Sequence, residues 1–127
     1  MAMAPYPIAF CEIPGAPSFG TILCYRHDLV GNNCVELNYR LEDKIFNGFI
    51  CEHNGLVRAY ENSCPHTGSP LNISVGQFFS NDGDTLQCRT HDARFNPKNG
   101  HCTRGPCQDA WLRQIKIVVD GDKVLAG

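Results

Sequence analysis

Two stretches decide how this chain reads: Cys64-Pro65-His66-Thr67-Gly68-Ser69-Pro70-Leu71 and Cys88-Arg89-Thr90-His91-Asp92-Ala93-Arg94-Phe95-Asn96. Each opens with a cysteine and a histidine, as Cys-x-His in the first and Cys-x-x-His in the second. Each short loop therefore supplies one thiolate and one imidazole. A tetrahedral zinc ion accepts two cysteines and two histidines. A two-iron cluster can take two cysteines on one iron and two histidines on the other. Zinc fingers usually group like with like, whereas here each pair is mixed, as suits two loops gripping opposite ends of a cluster. Cys64, His66, Cys88 and His91 are the candidate metal ligands, with iron-sulfur chemistry ahead of zinc.

Outward from these loops the chain is punctuated by turn signals: Gly31-Asn32-Asn33, Asn54-Gly55, Asp82-Gly83, Asn99-Gly100 and Asp120-Gly121. Each holds residues that accept positive φ cheaply. Between them lie short runs rich in β-branched and aromatic residues. Ile45 to Glu52, Asn54-Gly55 and Leu56 to Tyr60 predict a hairpin, because Asn-Gly suits the type I′ turn that matches strand twist. Gln114 to Val119, Asp120-Gly121-Asp122 and Lys123 to Leu125 predict a second. Phe10 to Gly20, with Pro14, Gly15 and Pro17, reads as an entry strand running into a loop. No strong helical periodicity is present, so the expected class is all-β, built of short antiparallel strands. Residues 1–127 are expected to form one domain, within which 62–107 is a cluster-binding subdomain. That segment gathers Cys64, Cys88, Cys102, Cys107, His66, His91 and His101 among prolines and glycines.

Composition excludes several classes of function. A formal net charge of -2 with interspersed signs offers no footprint for nucleic acid. Met1 to Phe10 has neither the basic start nor the apolar run of a secretory signal. No stretch approaches the roughly 18 apolar residues of a membrane span. The expectation is a cytoplasmic protein without a membrane span. In that setting eight cysteines favour metal ligation or reduced thiols over a disulfide framework.

The loop surroundings carry a resemblance. Cys64 to Leu71, Cys88 to Gly100 and Gly105-Pro106 resemble the Rieske ferredoxin family, a likeness that extends to the strand pair Trp111 to Val124 and more weakly to Phe10 to Pro14. It implies three small antiparallel sheets with a cluster-binding tip made of two loops. It also implies one 2Fe-2S cluster on Cys64, His66, Cys88 and His91, with the cysteines inside and the histidines nearer solvent. One departure is the connection from Thr67 to Gln87, several residues longer than the commonest spacing. The extra length is assigned to Asn72 to Asp84, where Gln77-Phe78-Phe79 and Asp82-Gly83 still offer a strand and a turn, and Phe78-Phe79 would cap the core.

Imidazoles in place of two thiolates leave such a cluster less negative and raise its potential, to a window of roughly −150 to +300 mV. Within it, hydrogen-bond donors to the sulfurs decide the value. High-potential Rieske proteins carry a serine and a tyrosine two and four residues after the second histidine, where this chain has Ala93 and Phe95. They also tie their loops with a disulfide, where this chain shows Ser69 and Thr90. The resemblance thus implies a low-potential ferredoxin, not itself an enzyme, passing electrons from a reductase to an oxygenase or similar acceptor. It would be monomeric when free and dock its redox partners at the His66 and His91 tip. Alternatives are a small Rieske subunit of a larger reductase, such as nitrite reductase, and a zinc-stabilised binding module without redox chemistry.

The remaining candidates read as structural. Cys11, Cys24, Cys34 and Cys51 lie in or beside strand-like runs, where cysteine behaves as a small buried hydrophobe. Cys102 and Cys107, a Cys-x4-Cys loop beside Gly105-Pro106, could form a disulfide or take a redox role, with two reduced thiols favoured. His27 and His53 read as surface or turn histidines and His101 as a loop residue. Asn72-Ile73-Ser74 matches a glycosylation pattern with a use only in a secreted chain.

Overall fold

The structure is a computed structural model that describes residues 6–127 apart from His66, and of Asn32 only the backbone. Its strands are β1 (Ile22–Tyr25), β2 (Val35–Leu41), β3 (Lys44–His53), β4 (Leu56–Glu61), β5 (Leu86–Gln87), β6 (Arg94–Phe95), β7 (Cys102–Arg104), β8 (Gln114–Ile115), β9 (Ile117–Asp120) and β10 (Lys123–Ala126). Among the described residues they form three antiparallel sheets, ordered β1-β10-β9, β2-β3-β4-β8 and β5-β6-β7. Among the described residues helical structure is limited to 3₁₀ segments at Phe10–Glu12 and Arg26–Asn32. The all-β expectation and its three-sheet form are met.

The Asn54-Gly55 turn sits where expected, with φ of 51° and 80°, and it fixes the register His53↔Leu56 through Phe49↔Tyr60. A second turn at Glu42, φ 58°, pairs β2 with β3. The chain-closing hairpin β9–β10 also forms, but Gln114-Ile115 leaves it to pair with β4 in the other sheet. Two expectations need correction. Phe10 to Gly20 is not an entry strand: Phe10–Glu12 is a 3₁₀ turn, the chain then bends through Gly15 at φ 84°, and pairing begins only at Ile22. Cys11 is not a core residue but exposed, because that turn points Phe10, not its neighbour, into the core.

The four-stranded sheet separates two cores, and the strand period of two assigns side chains to them. On β3, Phe46 and Ile50 face one core while Phe49 and Cys51 face the other. On β4, Val57 and Ala59 face the first and Tyr60 the second. The first core, against the β1-β10-β9 sheet, is made of Phe10, Leu23, Leu29, Leu37, Ile115, Val124 and their neighbours. The second holds Phe78, Leu86 and Phe95 together with Cys64, Cys88, Cys102 and Cys107. Phe49 joins the sheet to the loops by stacking on Phe78, centroids 4.0 Å apart. Burying side chains of this size contributes about 1.5–3 kcal/mol each.

The long connection is anchored, not loose. Phe78 and Phe79 are buried as expected, Phe79 bridges to Leu86, and Gly76 takes a hydrogen bond from Cys34 N–H and gives one to the Glu36 carboxylate. On the other side of the tip, the Tyr60 hydroxyl donates to Pro97 O at 2.7 Å and Arg58 Nε donates to Lys98 O at 2.9 Å. Both ends of the tip are thereby fastened to the middle sheet.

Candidate metal centre

The two ligand loops are built alike. In the first, Cys64 N–H donates to Ser69 O (2.8 Å) and Gly68 N–H donates back to Cys64 O (2.7 Å). In the second, Cys88 N–H donates to Ala93 O (2.9 Å) and Asp92 N–H donates back to Cys88 O (3.0 Å). Each loop so closes on its own cysteine, and each places a residue with left-handed backbone four positions later, Gly68 at φ 75° and Asp92 at φ 58°. Glycine accepts that conformation without cost, and aspartate is among the few other residues that tolerate it. Asp92 is further held by its carboxylate, which accepts hydrogen bonds from Gln87 Nε2 and from Arg94 Nε. Those bonds, Arg94 first and Gln87 second, hold its carboxyl below the usual carboxylate range.

The loops also grip each other and the scaffold. Arg89 N–H donates to Leu71 O at 2.8 Å, and the Arg89 guanidinium donates to Phe79 O at 3.0 Å in the long connection. Leu71 N–H donates to Asn62 Oδ1, Asn62 Nδ2 to Asn72 Oδ1, and Asn72 Nδ2 to the Glu36 carboxylate. A chain of amides therefore ties the first loop to β2.

Cys64 and Cys88 are 2% and 1% exposed and belong to one buried cluster with Ala93 and Phe95, both wholly buried. His91 is exposed. His66, the fourth expected ligand, lies outside the described residues. Among the described residues no three His, Cys, Asp or Glu side chains form a group able to hold a metal ion. Two thiols presented from matching loops, with an imidazole toward solvent, fit a group that spans two loops and carries thiolate donors on its inner side. Ala93 and Phe95 offer no hydroxyl to such a group.

The other cysteines divide. Cys24, Cys34 and Cys51 are buried as expected, and burial is the leading cause that pushes Cys24 up to about 11, Cys34 up to about 12 and Cys51 well above the ordinary thiol value. Thiols held protonated in this way are poor nucleophiles. Cys102 and Cys107, by contrast, form a pair: their sulfurs are 3.2 Å apart, in the same buried cluster as Cys64 and Cys88. The sequence reading left this pair outside the ligand set and missed that it packs in one buried cluster with the ligand cysteines. The available signal was Gly105-Pro106, whose turn packs against Ala93 of the second loop.

The histidines outside the loops are structural. His27 is exposed and bonded through Nδ1 to the Asp122 carboxylate. His53 ends β3 and stacks on Phe79, centroids 5.9 Å apart. His101 is half-buried, stacked on Trp111 at 4.5 Å with Nε2 3.3 Å from the Asp109 carboxylate.

Comparison with known proteins gives one family match and many similar structures. The family model of the Rieske [2Fe-2S] domain matches residues 21–119. No curated protein matches the sequence. Among solved structures, the ferredoxin of carbazole 1,9a-dioxygenase from Nocardioides aromaticivorans superposes with TM-score 0.63 at 23% identity, covering 86% of this chain and 97% of that one. A chain from a complex of reduced oxygenase and oxidized ferredoxin in carbazole 1,9a-dioxygenase gives TM-score 0.67 at 20% identity, with 87% and 95% covered. The terminal oxygenase of carbazole 1,9a-dioxygenase from Nocardioides aromaticivorans gives 0.67 at 15% identity, covering 85% of this chain but 29% of that one. At these identities the likeness is one of fold, shared by a small ferredoxin and by part of a larger oxygenase chain.

Proposed function

Because the chain belongs to the Rieske [2Fe-2S] domain family, we propose that it holds one Rieske-type cluster on Cys64, His66, Cys88 and His91 and serves as a one-electron carrier between a reductase and an oxygenase or similar acceptor. The observation that carries this reading is the matched pair of loops, each closed on a buried cysteine and bonded to the other through Arg89 and Leu71. When bound, the cluster would supply a one-electron redox site. The chain's own residues do the rest. Phe49, Phe78, Leu71 and Phe95 exclude water from the cysteine side. Asp92 and Gly68 hold the two turns, and the exposed His91 gives the point at which a partner can approach.

A carrier reading is favoured over a catalytic one by the same residues. An oxygenase needs a separate iron site, commonly two histidines and a carboxylate with open positions. Outside the loops, His27, His53 and His101 are spread over the structure in unrelated contacts. Redox partners of this kind meet over small surfaces, below about 1,200 Å² in total, and the tip carrying the exposed His91 is the face offered to them. No helix among the described residues is long and apolar enough to cross a membrane.

Purified protein tests the proposal directly. The expected result is a red-brown protein whose reduced state gives an EPR signal of low average g, titrating in the lower part of the Rieske window. Colourless, EPR-silent, zinc-loaded protein from iron-replete cells would establish the binding-module alternative. Reduction of the isolated monomer by a reductase, followed by reoxidation on adding an oxygenase component, distinguishes a mobile carrier from a fixed subunit of a larger reductase.

A further inference from the structure

The tip shows few large apolar side chains to solvent. Among the described residues of 62–107 they are Ile73 and Val75, 81% and 87% exposed and both in the long connection. Single exposed hydrophobics are ordinary, but this pair is displayed by a fastened turn. Asn72 Nδ2 donates to Ser74 O and to the Glu36 carboxylate, Gln77 N–H to Ser74 O, and Gly76 N–H to the Glu36 carboxylate, all within 3.2 Å. A backbone ordered in advance loses little freedom when a partner docks on it.

The turn adjoins the ligand loops. Leu71, two residues before Ile73, accepts the Arg89 N–H of the second loop at 2.8 Å. Gly76, next to Val75, and Arg89, two residues from His91, line one cleft of about 270 Å³ together with Gly31, Asn33 and Ser80. At most about 7 Å of chain therefore separates Val75 or His91 from the lining of that cleft. A redox interface of about 600 Å² on each partner is about 28 Å across, wide enough to hold both. Charge gives such an interface no strong direction. In residues 62–107, Asp82, Asp84 and Asp92 stand against Arg89, Arg94, Lys98 and Arg104, with Arg94 held by Asp92 and Arg89 by Phe79 O. With the signs balanced, no single-sign field steers a charged partner, and apolar area is left to supply the contact energy.

We propose that Ile73 and Val75 form the apolar part of the docking face beside the His91 loop, and that the electron acceptor meets them with an apolar, weakly charged surface around its own redox centre. The inference rests on the carrier reading above. A carrier must dock and leave, and two aliphatic side chains give a transient contact without the interlocking ion pairs that a charged partner would need. The cleft between Gly76 and Arg89 leaves room for a side chain of the acceptor. The added length of the connection thus acts in the choice of partner, while the ligand loops keep their own hydrogen-bond pattern.

The test mixes dithionite-reduced holoprotein, freed of excess reductant, with two oxidised acceptors in a stopped-flow instrument. One is azurin, a blue-copper protein whose copper edge lies under an apolar surface; the other is cytochrome c, whose haem edge is ringed by lysines. In the Ile73→Ser, Val75→Ser double variant the second-order rate constant toward azurin should fall about tenfold. The rate toward cytochrome c, the midpoint potential and the EPR signal should stay at their wild-type values. Leu41→Ser is the control, since Leu41 is 62% exposed at the other end of β2, about 17 Å along the strand from Glu36, and its azurin rate should match wild type. A double variant that keeps the azurin rate, or loses it only together with the cytochrome c rate or the midpoint, overturns the proposal, as does an equal loss in Leu41→Ser. Failure of the carrier reading shows separately, as wild-type protein without an EPR signal that reduces neither acceptor.

Discussion

The two faces of the middle sheet are held together by different physics. Below it, Phe10, Leu23, Leu37, Phe46, Ile50, Ile115 and Val124 form an aliphatic and aromatic core of the ordinary kind, closed by the β1-β10-β9 sheet. Above it, the core is smaller in aliphatic content and contains four cysteines of the tip, Cys64, Cys88, Cys102 and Cys107, with strands of two or three residues. The lower side is dominated by hydrophobic burial. The upper side depends on backbone hydrogen bonds, positive-φ turns and, on the proposed reading, a metal cluster. One strand serves both, since Phe49 and Ile50 are neighbours in sequence and point to opposite cores.

That contrast can be broken most sharply at a ligand. Cys88→Ser should abolish the colour and EPR signal of the purified protein while the far-ultraviolet β signature survives, because the lower core does not contain residue 88. Loss of both together would show that the lower side cannot fold without the tip. The next largest effect separates adjacent residues. Ile50→Ala should lower the unfolding free energy by about 2–5 kcal/mol and Phe49→Ala by about 3–5 kcal/mol. Only Phe49→Ala, which removes the stack on Phe78, should also reduce cluster content per mole of protein, as measured by iron and sulfide analysis.

A smaller effect sharpens the upper side alone. In the Ala93→Ser, Phe95→Tyr double variant, hydroxyls replace two wholly buried apolar positions beside the ligand cysteines. The midpoint should rise by roughly 20–60 mV per donor made, from a net hydrogen-bond contribution of about 0.5–1.5 kcal/mol in a one-electron couple. A wild-type midpoint already well above zero would contradict the low-potential reading.

The smallest effect belongs to the lower side. The Asp122 carboxylate, first by hydrogen bond and then by charge, raises His27 above the ordinary histidine value. A raised folded-state value means a contribution fully present below the ordinary histidine pKa and lost as pH rises through the folded one. His27 is exposed, so its weight in stability is slight. In Asp122→Asn, NMR titration should show His27 moving down toward the unperturbed value, with cluster spectra unchanged.

How far the sequence reached differs between the regions in the same way. The Asn54-Gly55 and Asp120-Gly121 hairpins were legible, because a two-residue turn is a local decision. β2 was less so: Val35, Leu37, Tyr39 and Leu41 alternate properly, but its turn at Glu42-Asp43 lacks glycine and takes φ 58° at glutamate. Phe10 to Gly20 misread as a strand because its apolar and proline content fits an extended run, and only packing chose Phe10 over Cys11.

In the tip, residue type and spacing alone identified Cys64, His66, Cys88 and His91 as candidate ligands, since only a few residue types bind metal and the mixed pairs are rare. They also determined the all-β class and the absence of hydroxyls at positions 93 and 95. Tertiary structure alone decided that the two ligand loops share one hydrogen-bond pattern, that Arg89 joins the second loop to Leu71 and Phe79, and that the Cys102 and Cys107 sulfurs lie 3.2 Å apart in the same buried cluster. The reason is distance along the chain. A ligand motif is local and so is written in consecutive residues, whereas contacts between Leu71 and Arg89, or Tyr60 and Pro97, exist only after the sheets have brought separate segments together.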